Sequence, residues 1–171
     1  MRGVDVETTA LDPADGRLSL VQIAAPDTFT VAVYDVQSGN RLYALSGLKR
    51  QATAMTFSPD GRTLAVGYNG LVQLCDMRMW EPVRSIAGFE RPLTCLSYSP
   101  DGKRLAGGTQ DGHVWVWDVG SGRQTQLIEV GGRMVRSIAF SPNGKQLVTV
   151  AAQASVAVWD VAEPPATTDL Q

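Results

Sequence analysis

Two carboxylates near the start of the chain are the first residues to weigh for chemistry. Asp5 and Glu7 lie two apart, so a strand would turn both side chains to one face. Oxygen ligands so grouped suit a hard divalent cation, Mg2+ or Mn2+, which can activate water. His113 is the sole histidine of 171 residues. With no histidine pair for zinc or a proton shuttle, its expected role is structural or on the surface. Ser58, Ser99 and Ser141 have no histidine to activate them and read as turn residues. Gly107-Gly108 and Gly131-Gly132 also read as turns, since the lysine and helix of a phosphate loop are missing. The two cysteines, Cys75 and Cys95, fall inside strand-like segments and are expected to be reduced, buried thiols. Trp80 sits in a turn beside Glu81-Pro82, where an exposed aromatic can anchor a partner protein. Trp115, Trp117 and Trp159 follow strand alternation and read as packing residues.

The elements that would position these residues are set by a repeat. Ser58-Pro59-Asp60-Gly61 recurs as Ser99-Pro100-Asp101-Gly102 and as Ser141-Pro142-Asn143-Gly144. In phase with it run Tyr34-Asp35, Cys75-Asp76, Trp117-Asp118 and Trp159-Asp160. Both markers recur at a spacing of about 42 residues, the signature of tandem units. Before each turn, bulky and small residues alternate: Thr53 to Phe57, Thr94 to Tyr98, Arg136 to Phe140. A strand then presents one bulky and one small face, which is what units stacked side by side require. The turn follows from chemistry: proline fixes φ, aspartate bonds nearby backbone, and glycine accepts positive φ. A second strand (Thr63 to Val66, Arg104 to Ala106, Gln146 to Val150), a third (Val114 to Asp118) and a fourth (Val83 to Ala87) complete the unit. Four antiparallel strands in about 42 residues make one propeller blade.

Over residues 29–162 these motifs resemble the WD-repeat family. The resemblance implies an all-β fold of WD-type β-propeller blades, three of them clear and a fourth at the N-terminus, forming a partial or oligomer-completed propeller. It also implies a binding role. The family's usual histidine before the innermost strand is replaced by Leu48, Phe89 and Gly131, and its aspartate by Asn69 and Gln153 in two blades. Only the blade with Asp111 and Trp117 is expected to keep two members of the usual polar network.

Residues 3–35 carry a second resemblance. Val4-Asp5-Val6-Glu7-Thr8-Thr9, with Leu11-Asp12-Pro13 and Gly16-Arg17-Leu18 after it, is similar to the first motif of ribonuclease D-like 3′–5′ exonucleases. That likeness implies divalent metal at Asp5 and Glu7. The same family needs further aspartates and a Tyr or His far downstream, and here the chain turns WD-like by Val31 to Asp35. An active site needs its whole constellation, so the segment reads as non-catalytic. Leu11 to Leu18 also aligns with Phe57 to Leu64 with one insertion. Strands over Arg17 to Ala24, Thr28 to Asp35 and Arg41 to Ser46 would then make a blade of it. A fused exonuclease piece recruited as a blade and a decayed repeat both fit.

Composition sets the remaining bounds. The chain is 44% apolar and 19% charged with net charge −2, a soluble globular balance that gives no reason to expect nucleic acid as a partner. No signal peptide or membrane span is legible, and the cytoplasm is the expected setting. The organisation expected is an exonuclease-motif-like segment acting as a blade over 1–46, WD blades over 47–162 and a disordered tail over 163–171. An arc of four blades leaves two faces without neighbours. A homodimer closing the ring, another protein supplying the rest, and a truncated product are the three outcomes, with dimeric closure preferred. The function expected is a non-catalytic interaction or scaffolding module without a cofactor. The alternative is the remnant of a metal-dependent exonuclease.

Overall fold

A computed structural model describes residues 6–7, 18–25, 28–35, 37–48, 51–79, 81–152 and 155–161. Its strands fall into successive antiparallel meanders. The first sheet contains β1 (Val6–Glu7), β2 (Leu18–Ala25), β3 (Thr28–Asp35) and β4 (Arg41–Leu48), in that order. β5 (Ala54–Phe57), β6 (Thr63–Gly67), β7 (Asn69–Asp76), β8 (Glu81–Tyr98), β9 (Arg104–Thr109), β10 (His113–Asp118) and β11 (Gln124–Glu129) follow as one seven-stranded run. β12 (Val135–Phe140), β13 (Gln146–Ala151) and β14 (Ser155–Asp160) form the last sheet.

The seven-stranded run is two blades sharing one strand. The first part of β8 pairs with β7, from Asp76↔Glu81 to Leu71↔Ala87. Its last part pairs with β9, from Leu93↔Thr109 to Tyr98↔Leu105. The chain thus closes one blade and opens the next without leaving strand geometry, and Gly88 at φ 112° lies on the way between them. The fourth strand, expected to stop near Ala87, has no break there. The sheets are all-β and do not close on one another: the fold is a partial propeller of WD-type blades.

The Ser-Pro-Asp-Gly turns have the chemistry their composition dictates. In the first, the Ser58 hydroxyl donates to Asp60 (2.6 Å) and accepts from the Thr63 amide (2.9 Å). Asp60 accepts the Arg62 amide (3.1 Å), and Gly61 sits at φ 67°. The turns at Ser99 and Ser141 repeat the same bonds. The serines therefore hold backbone.

Each junction between blades is a separate apolar core. Each blade after the first turns bulky residues toward its predecessor: Phe57, Leu64 and Cys75 in the second, Tyr98, Leu105 and Trp117 in the third, Phe140, Leu147 and Trp159 in the last. The opposite face carries smaller residues. Ala65, Val72 and Leu74, like Ala106, Val114 and Val116 one repeat later, are almost wholly buried by the following blade. Val31 and Val33 of β3 hold the same phase and are also buried, so the first sheet packs on the second as the others pack on theirs. Burying one such side chain contributes about 1.5–3 kcal/mol.

Gly107 and Gly108 are not in a turn: both lie inside β9 and are buried. Their reason is space. A Cβ on Gly107 would meet Leu93 Cδ2 at 2.8 Å and Trp117 Cζ3 at 2.9 Å. One on Gly108 would meet Cys95 Sγ and Val135 Cγ1, each at 2.7 Å. Gly67, one repeat earlier, faces Leu93 Cδ1 at 3.0 Å. Where one blade's innermost strand crosses the preceding sheet, at Gly67 and Gly108, a side chain is excluded. Gly131 and Gly132 do lie in a bend, at φ 84° and 68°.

The last sheet differs in two ways. Among the described residues β14 pairs only with β13, whereas its counterparts β3, β7 and β10 each pair on both sides. Its smaller face is uncovered: Val156 and Val158 are 67% and 58% exposed, and the glycine position of Gly67 and Gly108 is held by Val150. The tail expected to be disordered lies outside the described residues.

Candidate functional site

The innermost strands start side by side, and their starts line a shallow, open groove of about 490 Å³. Ala52, Leu93 and Val135 are repeat-equivalent and buried at its floor. Thr53, Thr94 and Arg136 follow them in register, and Gln51 and Gln110 complete a polar rim. The strands converge because their neighbours hold them together. The Thr94 hydroxyl donates to the Gly108 carbonyl at 3.1 Å and also bonds the Val135 carbonyl of the next blade. Arg136 is exposed and brings a positive charge to a rim that is otherwise neutral. An apolar floor with a few convergent polar groups is the general form of a ligand or peptide site.

Beside this groove lies the Asp111 turn. The Thr109 hydroxyl donates to Asp111 (2.6 Å), and His113 Nδ1 lies 3.1 Å from the same carboxylate. Partial burial alone would raise the Asp111 carboxyl. The hydrogen bonds from Thr109 and His113, with the His113 charge, outweigh it and hold the group below its ordinary value. Arg91 adds a long contact at 3.8 Å. His113 therefore braces a turn, the structural role its isolation in the sequence suggested.

The polar network has been replaced in part by aromatic packing. Phe89, at the family's histidine position, is buried with its ring centre 5.5 Å from Trp117 and 6.2 Å from Trp115. Trp115 and Trp117 stack at 6.5 Å. A further polar remnant survives where the sequence suggested none: Trp159 Nε1 donates to the Thr149 hydroxyl at 2.9 Å in the last blade. Gly107 stands at the place of Thr149 in the blade before it, which lets the Trp117 ring lie over that backbone.

The remaining sequence candidates are dispersed. Cys75 is buried and unpaired, and burial pushes its thiol up to about 11. Cys95 is half-buried, and burial raises it too. Asp5 and Trp80 lie outside the described residues. Glu7 is placed by its backbone alone, opposite Val21 in β1. Among the described residues no cluster of three His, Cys, Asp or Glu side chains can hold a metal ion. The groove residues Gln51, Gln110 and Arg136 escaped sequence reasoning. Aligning Thr53, Thr94 and Arg136 by the repeat would have exposed the one place where arginine replaces threonine.

Comparison with known proteins agrees with the geometry. The family model described as WD domain, G-beta repeat, matches residues 39–76, 80–118 and 125–160. Each matched stretch opens within two residues of the start of a fourth strand and ends on the third strand of the next blade, so successive matches interlock the sheets as β8 does. The chain is also similar to WD repeat-containing protein 3 of Homo sapiens, with 41% identity over 46 residues. That stretch is 27% of this chain and 5% of the human protein. Family-model matches over about two thirds of the chain, in phase with the observed blades, establish that the protein belongs to the WD-repeat family.

Proposed function

We propose that the chain is a non-catalytic WD-repeat module that binds another protein and needs no cofactor, with the groove at the starts of the innermost strands as its contact site. The observation that carries this reading is the groove itself: buried Ala52, Leu93 and Val135 under a rim of Gln51, Gln110 and Arg136. Its volume of about 490 Å³ suits two or three side chains of a partner, and Arg136 favours an acidic one. On this reading residues 1–46 serve as a blade and not as a nuclease. The setting is cytoplasmic, where Cys75 and Cys95 stay reduced.

The uncovered face of Val156 and Val158 supports a second self-contact, in which another copy closes the arc toward eight blades. Val150 would hold the incoming blade further off than Gly67 and Gly108 hold theirs. The test of the main reading is a photo-cross-linking residue at Gln110, compared with one at Leu127, exposed on β11. A protein adduct formed at Gln110, absent at Leu127 and lost in Arg136→Glu, is expected. Equal capture at both positions would refute the groove as the contact site. Mn2+-dependent nuclease activity lost in Asp5→Ala would overturn the non-catalytic reading.

A further inference from the structure

The other ends of the innermost strands carry a second feature, visible only when neighbouring junctions are compared. At the junction of the third and last blades, Arg104 lies buried between two turns, only 5% exposed. Its Nη2 donates to the Gly144 carbonyl at 2.8 Å, and its guanidinium lies 5.7 Å from the centre of the Phe140 ring. Backbone acceptor and aromatic face together form a guanidinium seat.

One repeat earlier the same seat has no arginine. Thr63 stands at the place of Arg104, Tyr98 at that of Phe140, and Gly102 at that of Gly144. Thr63 is too short to cross. In its place is a groove of about 410 Å³, lined by Thr63, Tyr98, Gly102, Pro100, Asp60 and Asp101 among others. The two glycines report the difference directly: a Cβ at Gly144 would meet Arg104 Nη2 at 3.0 Å, whereas one at Gly102 would meet only Pro59, at 3.7 Å.

Two further observations point to a ligand. Tyr98 is 8% exposed, and its buried hydroxyl has no hydrogen-bond partner among the described residues, an uncommon and unfavourable state. Burial and the adjacent Asp60 carboxylate push the phenol above its ordinary range, so the hydroxyl keeps its proton. Two carboxylates, Asp60 and Asp101, line the same groove. The Ser58 hydroxyl holds Asp60 below the ordinary carboxylate value. At Asp101 burial opposes ionisation, but the hydrogen bonds of Ser99 and Lys103 prevail. Arg62 and Lys103 flank these turns on the exposed side.

We propose that the junction of the second and third blades is an open slot for an arginine side chain of a partner protein. The incoming guanidinium lies over the Tyr98 ring and donates to the Gly102 carbonyl, as Arg104 does one blade later. It differs in also meeting the Tyr98 hydroxyl and the Asp60 and Asp101 carboxylates, which replace a covalent tether with charge. This contact is at the opposite end of the innermost strands from the groove of Gln110 and Arg136, and does not depend on it.

The test is a titration of the isotopically labelled chain with N-acetyl-arginine methylamide, with the lysine analogue as control, followed at the Gly102 and Thr63 amides. A saturable shift with arginine, weaker by about tenfold or more with lysine, is expected, since only the planar guanidinium stacks and forks. Thr63→Arg should fill the slot from within, abolish the arginine response and raise the melting temperature. Should that variant fail to fold, Tyr98→Phe serves in its place and should weaken the response while leaving the spectrum otherwise native. Equal shifts with lysine, no shift at Gly102, or an undiminished response in a folded Thr63→Arg chain would each overturn the proposal.

Discussion

Replacing Gly108 with alanine tests the packing of one blade on the next. Gly108 is not among the residues at positive φ, so alanine suits its backbone and should gain about 0.4–1 kcal/mol through the unfolded chain. Against that, the new methyl would stand 2.7 Å from Cys95 Sγ, 2.7 Å from Val135 Cγ1 and 2.9 Å from Val135 Cβ. Carbon contacts are optimal near about 3.5–4.0 Å, so neighbours must retreat by nearly an ångström. Val135 is wholly buried and packed into the third junction core, so any retreat disturbs that core. Overpacking of this kind costs about 1–3 kcal/mol, which leaves a net loss centred near about 1.3 kcal/mol. For a chain of this size that lowers the melting temperature by about 3–5 °C. The assay is thermal and urea unfolding of Gly108→Ala, Val135→Ala and the double variant. Val135→Ala removes the Cγ1 contact, so the double variant should be less unstable than the sum of the singles. An unchanged or raised melting temperature for Gly108→Ala, or strict additivity, would show that the blades do not meet at this glycine.

Three other outcomes follow from the same geometry. Trp159→Phe removes the donor to buried Thr149 and should cost about 1 kcal/mol by urea unfolding, with Thr149→Val adding little further. Alkaline stability should fall between pH 9 and about 11, because the unfolded Cys75 thiol ionises near 9.0 while the folded one keeps its proton to about 11. The folded state binds more protons in that window, so stability declines with rising pH, and Cys75→Ala should flatten that part of the pH profile. Light scattering should show Val150→Gly strengthening self-association and the Val156→Lys, Val158→Lys pair abolishing it. A monomer in all three chains would refute closure through this face.

Much of the fold was legible because a repeat states each packing decision several times. Phe57, Tyr98 and Phe140 recur at one place in the unit, and each faces the preceding blade. The turn serines were assigned correctly because Ser, Pro, Asp and Gly each act locally. Gly107 and Gly108 were misread for the converse reason. Their requirement comes from Val135 and Leu93, which approach from other strands, and a sequence window of a few residues holds no trace of that. The continuity of β8 was hidden because the fourth strand was expected to end at Ala87, while pairing with β7 and then β9 carries the strand through. The groove beneath Arg136 and the slot beside Thr63 are defined by differences between repeats. The shared motif points to what the units have in common and away from these sites.

The change from Gly67 and Gly108 to Val150 also bears on how such an array can lengthen. Duplicating the third unit behind itself would bring together two faces that each already pack on a neighbouring blade, with a glycine under the crossing strand. Duplicating the last unit would bring a crossing strand down on a valine. Growth by copying is therefore open behind a blade with glycine at this position and obstructed behind one with valine, unless position 150 changes first. The copying of tandem repeats and the spacing of stacked sheets meet in a single side chain.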